Sequence, residues 1–233
     1  MTKKKKTNPK QSPNLQTIFK NFDNCVVCRK NKNPLSHILG AGKDKNPDFL
    51  FLFINPTHLN ISSHPNYPGK FRFPFLGVAR FWRFLAEAGF FSQDLAKEII
   101  QKQWKTNWEI KIQKELKRQK IYLTNLVKCT FFHPNPPPKK TISRQLFLLK
   151  QEIKIVNPKH IIAFGKLPFK VLTNKNILLR DYLKRIKFQK PPYFLSQEIF
   201  NKRYIVFPCY FPVGRGNPKK AVFVLKMIKK FYR

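Results

Sequence analysis

Asp48-Phe-Leu-Phe-Leu-Phe-Ile54-Asn55-Pro56 is an apolar run that stops abruptly at a turn dipeptide. A strand with one wet face alternates apolar and polar residues, whereas a run apolar at every position fits a strand covered on both faces, as in a parallel sheet. The same pattern recurs downstream, with Ile121 to Val127, Lys159 to Phe164 and Tyr204 to Pro208 reading as further buried strands. Between them lie helical patterns. Val78 to Gly89 carries Phe81, Trp82, Leu85 and Ala88 at helical spacing and Gly89 as a stop. Residues 92–118 read as a second helical region with Trp104 and Trp108 on one face, and 141–156, 167–173 and Lys219 to Phe231 read as helices. Strand, loop and helix in fourfold repetition predict an α/β fold: three α/β/α layers around a mostly parallel, four-stranded central sheet.

The chain is long enough for one such domain, expected over residues 15–233, preceded by a Lys, Asn, Pro and Gln-rich arm at 1–14. The arm reads as disordered, either touching phosphates or doing nothing specific. Lys and Arg number 47 against 11 Asp and Glu, a formal charge of +36. That excess attracts a polyanion and points to DNA, although lysines spread over the whole chain also fit a proteome-wide basic drift. The few acids do not form the paired carboxylates that metal-dependent nucleases and polymerases need. With no apolar run long enough to cross a bilayer and no apolar core after the basic start, the expectation is a cytoplasmic monomer without membrane contact.

In parallel sheets the working loops follow the carboxyl ends of the strands. Here they read INPTHLN, TNLVKCTFFHPNPPP, FGKLP and CYFPVGRGNP. At these loops the sequence resembles the uracil-DNA glycosylase superfamily. Ile54-Asn55-Pro56 is similar to the first motif of the mismatch-specific uracil and thymine glycosylase branch, Gly-Ile-Asn-Pro-Gly. Phe73-Pro-Phe-Leu-Gly77 resembles the Arg-Pro-Phe-Val-Gly stretch of the iron-sulfur branch, and Arg80-Phe-Trp82 with Ala88-Gly-Phe90 resembles the mismatch-specific one. Ile121-Tyr-Leu-Thr-Asn-Leu-Val-Lys-Cys129 is close to the iron-sulfur branch's Tyr-Ile-Thr-Asn-Ile-Val-Lys-Cys, and His160 to Gly165 and Phe207 to Pro212 match the third strand and second motif. The chain departs at Thr57 in place of a Gly, at His58 in place of an acid, and at Phe211 in place of the second-motif His.

The resemblance implies roles. Asn55 positions the attacking water, Phe75 stacks on the extruded base, Asn125 reads its edge, and Ile54 joins the base contacts. An amide suits Asn125, since it both donates and accepts. Each residue also has a plain structural reading: Asn125 and Asn55 as turn formers, Phe75 as core. His58 stands beside the first motif as a stand-in for the missing His, or as a phosphate contact. Arg215, with Gly214, Gly216 and Asn217, forms a glycine-loosened loop for gripping DNA, or an incidental surface.

Cys25-Val-Val-Cys28 has metal half-site spacing. The iron-sulfur branch implies that Cys25, Cys28 and Cys129 are ligands of a four-iron cluster, its fourth cysteine replaced here by Ser143. A cluster completed by Ser143, His133 or an external ligand, a three-Cys zinc site completed by a His, and cysteines without metal remain open alternatives; Cys209 is not counted as a ligand. The sequence thus predicts a DNA-repair glycosylase acting on uracil or a related deaminated base, with a non-catalytic nucleic-acid-binding relative as the alternative.

Overall fold

Strand geometry sends Phe49, Phe51 and Phe53 to one face of the sheet and Leu50 and Leu52 to the other, and all five are 0% exposed. Burying each such side chain contributes about 1.5–3 kcal/mol, so this strand has to lie at the centre of a covered sheet. The computed structural model of the protein, which describes residues 14–23, 35–101, 104, 107–132, 135–214 and 216–232, shows it there.

The strands are β1 (Ala41–Gly42), β2 (Phe49–Phe53), β3 (Ile121–Asn125), β4 (His160–Phe164), β5 (Phe194–Leu195) and β6 (Ile205–Cys209), in the order β1-β3-β2-β4-β6-β5. The four central strands are parallel and the two edge strands antiparallel. The sheet therefore has six strands rather than the expected four. Each edge strand is only two residues long, too short to carry a period in sequence.

Among the described residues there are eight helices: α1 (Leu15–Asp23), α2 (Ala79–Glu87), α3 (Gln93–Gln101), α4 (Trp108–Arg118), α5 (Lys139–Val156), α6 (Lys166–Thr173), α7 (Leu179–Ile186) and α8 (Pro218–Tyr232). The phenylalanine face of the sheet packs against residues of α2, α3, α4, α7 and α8. The leucine face packs against α5 and α6. Three layers result, as the sequence predicts.

The region 92–118 is two helices, not one, and Trp104 lies between them outside any helix. Its ring still meets that of Trp108, at 6.4 Å and a steep angle, so the four-residue spacing reflects contact without continuous helix. Of the expected arm, residues 1–13 lie outside the described residues, while the Asn14 side chain caps α1 by accepting from the Thr17 amide at 2.8 Å. Helices α1 and α7 have no counterpart in the sequence reading. No helix among the described residues is long and apolar enough to cross a membrane.

Candidate functional site

The register of the parallel strands lines up one row of residues at the carboxyl end of the sheet. Phe53 pairs with Asn125, Leu52 with Ala163, and Phe164 with Cys209. Alternation puts Asn125, Phe53 and Phe164 on the phenylalanine face, where the Phe53 and Phe164 rings stack at 4.6 Å. Phe53 also meets Phe75 at 4.6 Å, Phe81 at 5.5 Å and Phe211 at 6.3 Å. The loops following β2 and β6, and the loop bearing Phe75, thus converge on one aromatic floor with an amide at its edge. Asn125 is 2% exposed, and its Nδ2 has no hydrogen-bond partner among the described residues. A buried donor left without a protein, water or ligand partner costs about 1–3 kcal/mol.

Phe75 is held in an unusual state. Its φ is +66°, a left-handed conformation that costs a bulky residue on the order of 1–3 kcal/mol. Its carbonyl accepts from the Trp82 indole at 3.2 Å and from the Val78 amide at 3.0 Å, which clamps the turn. One face of the half-buried ring lies on Phe81, 3.8 Å away and 12° from parallel. The surroundings therefore fix a ring plane that sequence alone gives no reason to strain.

Asn55 is half-buried and donates from Nδ2 to the Pro56 carbonyl at 3.1 Å, which orients the amide and leaves Oδ1 as an acceptor. The loop carrying it is stitched to the one after β3. The Leu126 amide donates to the Phe53 carbonyl at 2.8 Å and the Val127 amide to that of Ile54 at 3.0 Å. Further out, the Phe131 amide donates to Pro56 and the His58 amide to Phe131, both at 3.1 Å. Buried Asn60 completes the frame: its Nδ2 donates to the Phe73 carbonyl at 2.9 Å, and its Oδ1 accepts from the Ser62 amide at 3.0 Å and hydroxyl at 2.7 Å. The water-holding candidate and the stacking candidate are thereby locked to each other.

The other expected residues fall differently. The His58 imidazole is exposed on the turn closed by the Asn60 amide and the Thr57 carbonyl, and its own carbonyl accepts from the His64 ring at 3.0 Å. Phe211 offers a hydrocarbon ring where a His would offer a proton. Gly214, at φ +60°, has open space around it, but Gly216 is packed so closely on the Phe211 carbonyl that a side chain would collide. Asn217 caps α8 by accepting from the Lys220 amide at 3.0 Å. Arg215, Cys25, Cys28 and His133 lie outside the described residues. Cys129 is 2% exposed and its sulfur accepts from the Gln145 amide at 2.9 Å. Ser143 is exposed and donates its hydroxyl to the Lys139 carbonyl at 3.1 Å. Among the described residues no three His, Cys, Asp or Glu side chains gather as a metal site.

Sequence reasoning missed a polar core behind Asn125. Lys128 and Glu152, both 0% exposed, pair at 2.6 Å. The Lys128 ammonium also donates to Thr124 Oγ1 at 2.6 Å and to the Asn125 carbonyl at 2.7 Å. Tyr122 and Thr124 donate their hydroxyls to Glu152 Oε1 at 2.8 and 2.9 Å. Burial pushes the Lys128 pKa down against the pull of Glu152, and it pushes the Tyr122 phenol well up. The signal was present in sequence: Glu152 sits on the buried stripe of α5 with Leu149, Ile153 and Val156, and Lys128 lies between Val127 and Cys129.

The fold is α/β, with an aromatic floor and a buried amide at the carboxyl end of its central parallel strands. The sequence model of the uracil DNA glycosylase superfamily matches residues 39–232, and the chain belongs to that superfamily of DNA glycosylases. The match spans all six strands. A search of curated proteins finds no match for the chain.

Proposed function

We propose that the protein hydrolyses the N-glycosidic bond of uracil, or a related deaminated base, extruded from DNA. The observation that carries this reading is the buried Nδ2 of Asn125, without a partner among the described residues, at the aromatic floor that the strained Phe75 joins. A base reached inside a duplex has to leave the stack, and an aromatic face with an amide edge replaces the stacking and pairing it gives up. Asn125 Nδ2 donates to a uracil carbonyl while Oδ1 accepts from N3–H. Asn55 Oδ1 holds the water that adds at C1′ as the C1′–N1 bond breaks; N1 takes the bonding pair and the water's proton leaves to solvent. Lys128 is no nucleophile, being fully buried and engaged.

Phe211 supplies neither charge nor hydrogen bond to the departing anion, and this favours a second reading: a relative that binds extruded bases without releasing them. Incubation with a uracil-containing oligonucleotide, followed by alkali to cut abasic sites, separates the two. Release that is lost in Asn55→Ala and Asn125→Ala supports the enzyme; binding without release supports the binder. Cys25, Cys28 and Cys129 are the thiolates for a four-iron cluster or zinc, and no step above runs through such a group. Metal content and thiolate-to-iron absorbance of anaerobically purified protein test it, and a colourless, metal-free sample ends that reading.

A further inference from the structure

We propose that Lys128 is a positioning residue for base recognition, holding the end of β3 so that the Asn125 amide faces the pocket. The inference rests on the reading of Asn125 as the base-edge contact, but it concerns a group on the opposite face of the sheet.

Thr124 and Asn125 are consecutive strand residues, so their side chains leave opposite faces. Asn125 turns toward the aromatic floor and Thr124 toward α5, where its hydroxyl donates to Glu152 and accepts from Lys128. The Lys128 side chain folds back beneath the turn that follows β3, and its ammonium takes the Asn125 carbonyl at 2.7 Å. Its backbone amide is fixed in turn, donating to Gln145 Oε1 at 2.7 Å. Residues 125 to 128 are therefore closed into a ring by a charged donor, anchored to α5 through Glu152 and Gln145.

A turn could be closed more simply. A backbone amide or a hydroxyl would donate to the Asn125 carbonyl without burying a cation, and burying an ion pair contributes little net stability compared with apolar packing. What the charge adds is rigidity and direction, since a charge-assisted bond is shorter and stronger than a neutral one. The peptide plane of Asn125 sets where its Cβ points. Small rotations there are magnified at Nδ2, and a base-edge contact tolerates only small displacement. Glu152 serves the cation, and the cation serves Asn125.

Two variants separate positioning from folding. Tyr122→Phe removes one hydrogen bond to Glu152 but keeps the ion pair, and so keeps the grip on Asn125. Lys128→Met with Glu152→Gln removes the grip without stranding a buried charge. Expected results are cooperative melting for both, excision within about threefold of wild type for Tyr122→Phe, and a loss of about tenfold or more for the double variant. Affinity for an oligonucleotide bearing a tetrahydrofuran abasic analogue, which offers no base edge, stays within about twofold for both. The Asn125 side-chain amide resonances, assigned by their absence in Asn125→Ala, shift in the double variant and hold in Tyr122→Phe. That spectrum needs no turnover: a wild-type protein that releases no base defeats the glycosylase reading, while the resonances still report on Lys128. Unmoved resonances in the double variant, or parallel loss of excision and abasic-analogue binding, would overturn the inference.

Discussion

Replacing Asn125 by Leu should make the protein more stable and less active at once. The free protein buries Nδ2 without a partner among the described residues, a penalty of about 1–3 kcal/mol that an isosteric apolar side chain removes. Leu adds apolar contact with the floor of Phe53 and its neighbours, and some of the gain is offset by imperfect fit, leaving a net stabilisation of about 1–2 kcal/mol. For a chain of this size that raises Tm by roughly 2–8 °C. Excision moves the other way. Two edge hydrogen bonds are lost and the polar edge of the base is left facing methyl groups, about 2–6 kcal/mol in the transition state, or a fall in kcat/KM of roughly 30-fold or more. Thermal melts and the alkali-cleavage assay on the same preparation read both quantities. A Leu variant that melts lower while retaining turnover would refute the reasoning, because it would show that the amide serves the fold and not a ligand.

Phe75→Gly should relieve the positive φ while removing the ring, so stability changes by less than about 2 kcal/mol, whereas Phe81→Ala costs about 3–5 kcal/mol; chemical denaturation compares them. Loss of the stacking face should weaken binding of uracil-containing DNA by about 1–3 kcal/mol, and equal binding by both proteins would exclude the platform role. His160 is packed among Phe49, Phe207 and Tyr232, with Nδ1 buried and unpartnered among the described residues. Burial foremost, and Lys159 in addition, hold its pKa below the usual 6.5, with Asp48 opposing. The unfolded chain then binds the proton first as pH falls, so stability declines from about pH 6.5 downward until the folded pKa is passed. His160→Phe should flatten that part of the Tm profile, and an unchanged slope would remove His160 as its source. DNA affinity should fall on the order of 40-fold between 50 and 200 mM salt if three phosphates are engaged, and a flat response would count against a phosphate-tracking surface.

The sheet was legible because its central strands are apolar at every position, and that pattern has few other meanings. The two-residue edges were not, since Ala41–Gly42 and Phe194–Leu195 have no period to read. Asn55, Phe75 and Asn125 stood out through their places at strand ends and in a proline-flanked loop, and the structure brings Phe75 and Asn125 to the same aromatic floor. Neither the strain at Phe75 nor the orphaned donor at Asn125 exists in sequence, because both arise from the surrounding contacts. Asn217 was legible as a polar residue in a glycine loop, but its capping of a helix was not. Lys128 was lost in a crowd of 47 basic residues, where only its apolar neighbours mark it as different.

The hydrogen bonds that continue the β2–β3 ladder beyond the strands, through Leu126, Val127, Phe131 and His58, leave the receptacle little freedom to reshape itself. A binding loop that folds around its ligand shares the work of recognition; a cup already set does not. On the proposed reading, the deformation has to occur in the nucleic acid. Selection then begins before any contact with Asn125, as a sieve on helix mechanics: bases held weakly by their partners reach the cup often, and well-paired ones seldom.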